Sequence, residues 1–348
     1  MYTTRIRMLV ITMVRFGILG FGLHAVKRLM PGFSLAKNCR VTALSRRDIT
    51  KAQESARQFN IPQAFDSAEK MCRSSEVDAV FVTTPNACHL QDVLLALNCG
   101  KPVLCEKPMA MSADESREMV LAARQRNLLL GVAQVFRFLD STARLRERVA
   151  SGQIGRPVFA RSEFSFQAKG GHARKWIADR AIAGGGPISD VGVHCIDALR
   201  YILQDEVLRV SARGVSDDQS GGMEAAAVLT LEFSHGTLGT VLVSFRAEYR
   251  SPLEIVGETA VLRADDGLNV ERPIEIQRRR DGTLAEAETV LNQAAYARQV
   301  DAFAAAIEKK AEFLVPGEEG WRNQEILDAA YRSLQSGKAE AVPQIDQS

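Results

Sequence analysis

Gly20-Phe21-Gly22-Leu23-His24-Ala25, with Gly17 just ahead of it, has the spacing G-x-G-x-x-[G/A]. Glycines at that spacing allow a tight turn at Gly20 and close approach of the Gly22 backbone to a pyrophosphate. Ala25 permits close helix–strand packing. The pattern gains weight from its setting: VRFGILG before it is a short apolar run, and LHAVKRLM after it is helical until Pro31-Gly32. A strand, a tight turn and a helix N-terminus together present backbone N–H groups to phosphates. The expected contacts here are Gly17, Gly20, Phe21 and Gly22. At the end of the next apolar run, RVTALS, an acid would hold a ribose 2′-hydroxyl and an arginine would accommodate a 2′-phosphate. The chain reads Ser45-Arg46-Arg47 there, and Asp48 comes late. Nine basic residues and a single acid, Asp48, occupy the first fifty positions. NADP(H) is therefore preferred, with NAD(H) the alternative if these arginines are solvated surface charges.

The elements that must position these residues alternate along the first half. After RVTALS come ITKAQESARQF, DAVFVTTP, HLQDVLLALNCG, KPVLCEKP and SADESREMVLAARQRN, strand and helix in turn. Uninterrupted apolar strands such as AVFV and PVLC point to burial on both faces, hence a doubly wound parallel sheet of the Rossmann type. Ser112 with Glu115 reads as a capping box. From about residue 157 the pattern changes to strand-like PVFARSEFSF, VLRVSARGV, AAAVLTLEFS, GTLGTVLVSF, LEIVGETAVLRA and IEIQRRR, with RRRDG at 278–282 a hairpin turn. The expected fold is an α/β Rossmann domain, 14–139, followed by an α+β domain, 140–342, with a large, mostly antiparallel open sheet.

The 348 residues, 46% hydrophobic and 25% charged, suffice for two cores. Lys plus Arg number 44 against 42 Asp plus Glu, so neither nucleic acid nor a membrane is an expected partner. Cys39, Cys72, Cys88, Cys99, Cys105 and Cys195 form no C-x-x-C pair, which argues against a disulfide framework and a zinc site. No metal is expected, and a reducing cytoplasm fits. Residues 1–13 are read as a non-native or misassigned start, with a signal peptide as the competing reading.

Downstream of the glycines, TTPNACHLQDVLLALNCGKPVLCEKPMAMS, with Thr84-Pro85, His89 and Glu106-Lys107-Pro108, closely resembles the glucose–fructose oxidoreductase / inositol dehydrogenase / rhizopine-catabolism (Gfo/Idh/MocA) family. Arg137-Phe138, SGQIGRP, Trp176 before GGGPISDVGVHCIDALRYIL, and GEEGWRNQEILDAAYRSLQSGK continue the match in order. The resemblance implies an NAD(P)-dependent oxidoreductase that exchanges hydride with a sugar, inositol or related hydroxy compound. It also implies a reaction centre of Lys107, Asp190 and His194, and a cofactor site that takes in Thr84, Pro85, Glu106 and Lys107. His89 fits a cofactor contact and a capping or packing role equally well. If DVGVHCIDALRYIL is helical, Asp190 and His194 share a face, with Asp197 a turn further on. His194 is expected to move the proton, Lys107 to donate to the substrate oxygen and Asp190 to bind a substrate hydroxyl. Gln134 and Arg137 are placed near the ribose or the domain junction. Arg174, Lys175, His172 and Trp176, in FQAKGGHARKWIADRAIAGGG, are candidate substrate contacts. The family relation further implies a homodimer or homotetramer formed through the second sheet. Two other readings compete: a non-catalytic dinucleotide-sensing regulator on the same fold, and a reductase of non-sugar substrates such as aromatic dihydrodiols.

Overall fold

Each of the first strands is short, apolar and followed by a helix, and this produces a six-stranded parallel sheet. In the computed structural model, which describes residues 13–168, 175–217 and 220–345, its strands are β1 (Val14–Leu19), β2 (Cys39–Ser45), β3 (Gln63–Phe65), β4 (Ala79–Val82), β5 (Val103–Cys105) and β6 (Leu130–Val132). Their spatial order is β3-β2-β1-β4-β5-β6. The winding reverses between β1 and β4, which opens a crevice at their carboxyl ends. β1 lies in register with both neighbours, Phe16 opposite Val41 on one side and Ala79 on the other. The helix Ala113–Gln125 starts at Ser112 as expected, the Ser112 hydroxyl accepting from the Glu115 N–H at 3.2 Å. The reciprocal half of the box is displaced by one residue, because the Glu115 carboxylate accepts from the N–H of Met111.

The first core is completed from far along the chain. Val300, Phe303, Ala304, Phe313 and Val315 pack into it, Phe303 beside Phe16 with ring centroids 6.1 Å apart. Phe313 lies over Gly131, where a Cβ would stand 2.5 Å from its ring, so β6 needs glycine for this approach.

The second sheet has nine strands: β7 (Pro157–Ser165), β8 (Val207–Val215), β9 (Ala226–Phe233), β10 (Leu238–Ser244), β11 (Leu253–Gly257), β12 (Val261–Ala264), β13 (Pro273–Arg280), β14 (Thr283–Leu291) and β15 (Glu340–Ala341). Their order is β14-β13-β12-β11-β7-β10-β9-β8-β15, antiparallel throughout except for β7 with β10. β9 alternates strictly between buried and exposed positions, Leu229, Leu231 and Phe233 facing the helix Val193–Leu203 and its neighbours. The other face carries Phe159 directly opposite Leu238, each about half exposed. Three readings need correction. Pro31-Gly32 does not stop the first helix, because Pro31 falls in the first turn of the α-helix Met30–Leu35, which runs on through Gly32. LEIVGETAVLRA is a hairpin of two strands, and in RRRDG only Asp281 and Gly282, both at positive φ, make the turn while the arginines stay on β13.

Candidate active site

The carboxyl ends of β1, β4 and β5 meet the second sheet across one cleft of about 730 Å³. After β1 the chain turns at Gly20, where φ is +80° and an added Cβ would sit 2.7 Å from the Thr84 backbone nitrogen. At Gly22 a Cβ would meet nothing closer than the Gly20 carbonyl, at 3.6 Å, so this stretch of backbone is open to the cleft. After β4, the Thr83 hydroxyl donates to the carbonyls of Leu19 and Gly20 and ties the two strand ends together. Thr84 and Pro85 then line the cleft, with the Thr84 hydroxyl donating to Asp92 at 2.7 Å. Arg46 and Arg47 stand at the end of β2 on the same cleft, Arg46 steadied by the Ser55 hydroxyl at 2.8 Å. Asp48 does not compete for a ribose there: its carboxylate accepts from the N–H groups of Thr50 and Lys51 as the N-cap of the next helix. An open glycine backbone at a helix start, flanked by arginines, fits a dinucleotide pyrophosphate.

At the other end Lys107 follows β5. Its Nζ donates to the Asp190 carbonyl at 2.7 Å and to Asp190 Oδ1 at 3.2 Å, with both side chains largely buried. Asp190 lies on a π-helical turn, Ile188–Gly192, that runs into the α-helix Val193–Leu203. Such turns often shape functional sites because they reset which residues share a face. Two glycines allow it to lie close: a Cβ on Gly185 would overlap the Tyr331 hydroxyl, and one on Gly186 the Glu224 carbonyl. His194 also lines the cleft, its ring stacked on Phe136 with centroids 4.2 Å apart. Its Nδ1 is buried without a hydrogen-bond partner, which leaves Nε2 as the nitrogen that can reach the cleft. Burial, with help from the positive charge of Lys107, pushes His194 well below its ordinary value, so the ring is neutral near pH 7. The structure thus brings Lys107, Asp190 and His194 to one place, with the His194 ring held neutral by burial. An oriented ammonium beside a neutral imidazole can polarise a substrate oxygen and accept its proton.

Between these ends stands a contact that sequence reasoning missed. His24 Nε2, inside the glycine motif, lies 2.9 Å from Glu106 Oε1. Burial pushes the Glu106 carboxyl up, but His24 and Lys107 outweigh it and hold the group below its ordinary value. Arg28 pairs with Glu271 across the cleft mouth, linking the two halves of the chain.

Other expected contacts lie elsewhere. Gly17 is a packing glycine: a Cβ would press on Met71 and Val77. Phe21 buries its ring beside Phe59, and its N–H donates to the carbonyl of Ser45, itself buried in β2, so neither residue lines the cleft. His89 is fully buried, with Nδ1 3.0 Å from the Pro108 carbonyl and Nε2 2.9 Å from that of Thr84. It borders the cleft, but both ring nitrogens are engaged with the two strand-end loops, the packing role of the two left open by the sequence. Gln134 is buried and does not line the cleft. Arg137 and Asp197 form a buried pair at 2.7 Å, joined by Glu319 and Asn323, at the junction of the two halves and not at a ribose site. Burial raises the Glu319 carboxyl, but Arg200 and Arg137 outweigh this and bring it to about 2. Cys105 and Cys195 are buried, and burial raises both thiols, that of Cys195 to about 12. Trp176 lines the cleft; His172 and Arg174 lie outside the described residues, as does the side chain of Lys175.

The profile described as "Oxidoreductase family, NAD-binding Rossmann fold" matches residues 14–134, and that described as "GFO/IDH/MocA C-terminal domain" matches residues 142–263. A 1,5-anhydro-D-fructose reductase from Ensifer adhaerens is 31% identical, over 95% of this chain and 99% of its own length. A D-xylose 1-dehydrogenase (NADP(+)) from Haloferax volcanii is 31% identical, over 93% and 98%. Among solved structures, an aldose-aldose oxidoreductase from Caulobacter crescentus complexed with glycerol superimposes with a TM-score of 0.88 at 24% identity, over 94% and 99% of the two chains.

Proposed function

The chain belongs to the GFO/IDH/MocA oxidoreductases, and from that membership we propose that it interconverts an alcohol and a carbonyl on a sugar, inositol or related hydroxy compound, with NADP(H) preferred over NAD(H). The observation that carries the reading is the Lys107–Asp190 pair beside a neutral His194, at the strand ends where the glycine turn opens. Gly20, Gly22, Thr84, Pro85, Arg46 and Arg47 would hold the dinucleotide, the two arginines favouring a 2′-phosphate. When bound, its nicotinamide supplies the hydride acceptor or donor. Lys107 donates to the substrate oxygen, His194 takes or returns the hydroxyl proton through Nε2, and Asp190 orients Lys107 and a neighbouring hydroxyl.

The working units are residues 14–139 for the dinucleotide and 140–342 for the substrate. The nine-stranded sheet, with Phe159 and Leu238 on its outer face, supports assembly as a homodimer or homotetramer. The unpaired cysteines fit a cytoplasmic setting. Among the described residues no helix is long and apolar enough to cross a membrane.

Absorbance of the reduced nicotinamide, followed with NADP and NAD in parallel over sugars, inositols and diols, tests the reading. Turnover should occur with at least one substrate, be faster with NADP, and fall by about 10²–10⁴-fold in Lys107→Ala with dinucleotide binding retained. Tight dinucleotide binding without turnover of any compound would favour the sensing regulator instead.

A further inference from the structure

His24 stands two residues after Gly22, on the stretch that the glycine spacing offers to a dinucleotide's phosphates, and its ring lines the cleft. Its Nε2 lies 2.9 Å from Glu106 Oε1, and Glu106 Oε2 accepts from the Lys107 N–H at 3.2 Å. The His24 side chain is 28% exposed and that of Glu106 12%, so the ring faces a buried acid on one side and the cleft on the other. The ionised Glu106 can only accept, so Nε2 carries a hydrogen whether the ring is neutral or charged, and a second proton enters at Nδ1. That is the proton an imidazole exchanges near neutrality.

The charges around the ring decide which form a ligand selects. Glu106 favours the charged ring, and Lys107, on the same loop after β5, opposes it while tied to Asp190. Arg28, a turn further along the chain from His24, is paired with Glu271 across the cleft mouth. Tyr296 meets the ring edge-on at 6.1 Å, His194 lies further along the cleft, and Arg46 and Arg47 stand at the end of β2. A dinucleotide adds a second anion on the exposed side of the ring. A charged imidazole between two anions is favoured over a neutral one, so the protein that holds the proton binds more tightly. We propose that His24 is a dinucleotide contact that takes up a proton from solvent as the cofactor binds, turning its Nδ1–H towards the phosphates while Nε2 keeps Glu106. No bond of the cofactor changes, and this uptake rests on the dinucleotide reading of the glycine turn. Because binding favours the charged ring, affinity is highest at low pH. It falls as pH rises through the interval where the free protein has lost this proton and the complex still holds it, and levels off above.

NADH is the probe, because it lacks the 2′-phosphate, whose own titration at about pH 6 would add to the signal. In fluorescence titrations of the full chain from about pH 6.5 to 8.5, Kd should rise about tenfold in the wild type, the worth of a charge-assisted contact. His24→Gln keeps a donor for Glu106 without the charge, and its Kd should stay within about twofold over the same range. Calorimetric titration of the wild type in phosphate and in Tris, at the pH where the fall is steepest, should show a net uptake of protons. That measurement needs no variant, and the melting temperature of His24→Gln without ligand checks that the variant is folded. A wild-type Kd that does not move, an equal rise in His24→Gln, or binding without proton uptake overturns the proposal and leaves the dinucleotide site standing. Failure of both NADH and NADPH to bind at any pH removes that site and the proposal with it.

Discussion

The two ends of the cleft are built from different materials. The dinucleotide end is main chain and surface cations: Gly20 at positive φ, the open backbone of Gly22, and Arg46 and Arg47 at a strand end. The substrate end is packed side chains: a stacked histidine, a lysine held by an acid, and rings from several separate elements. Main-chain sites depend on what a residue lacks, and so tolerate almost no addition. Side-chain sites depend on charge state and burial, and can be retuned by degrees.

The largest effect is expected where main chain makes the site. Gly20→Val places a branched Cβ against the Thr84 backbone at a φ that L residues avoid, and should cost about 1–3 kcal/mol of stability and at least tenfold in dinucleotide affinity. Thermal melts with and without NADPH measure both, and an unaltered ligand-induced shift in melting temperature would refute the assignment. Next, Arg46→Ala together with Arg47→Ala should raise the KM for NADP by about 10–100-fold, the loss expected for charge-assisted contacts, and leave that for NAD within a few-fold. Equal changes for both dinucleotides would mean the arginines are only solvated.

The smallest effect sharpens the other side of the comparison. The folded value of His194 lies below its unfolded value of about 6.5. Its neutral burial therefore stabilises the protein above that pH, and this contribution is lost as pH falls below 6.5 towards the folded value. Between pH 6.5 and 5.5 the wild type should lose up to about 1 kcal/mol more than His194→Asn, read by urea denaturation. Over the same interval kcat/KM for oxidation should show no inflection near 6.5, whereas a step there would mark a solvated imidazole.

The same contrast governs what the sequence could disclose. The glycine spacing, the bare end of β2 and the alternation of the first half were legible because each is a local pattern. The meeting of Lys107 and Asp190 was implied only by a family motif, since the two stand 83 positions apart in the chain. Phe164 on β7 and Phe166 just past its end are two apart, a visible period, but which face of β7 looks into the cleft depends on its place between β11 and β10. His24 was inside a motif already quoted, yet nothing local announces Glu106 as its partner. Gly17, Phe21 and Ser45, expected at the dinucleotide, are placed away from the cleft, and His89 at its border. They sit in or beside real motifs, but Gly17, Phe21 and Ser45 serve packing and the backbone ladder, and His89 holds two loops together from inside.

The return of Phe303 and Phe313 to the first core has a bearing on how the chain is made. A ribosome finishes all six parallel strands before residue 140, but Phe16 and Gly131 stay uncovered until residues beyond 313 emerge. The half that is synthesised first is therefore sealed last, and in the interval its apolar sheet face is open to chaperones and to other nascent chains.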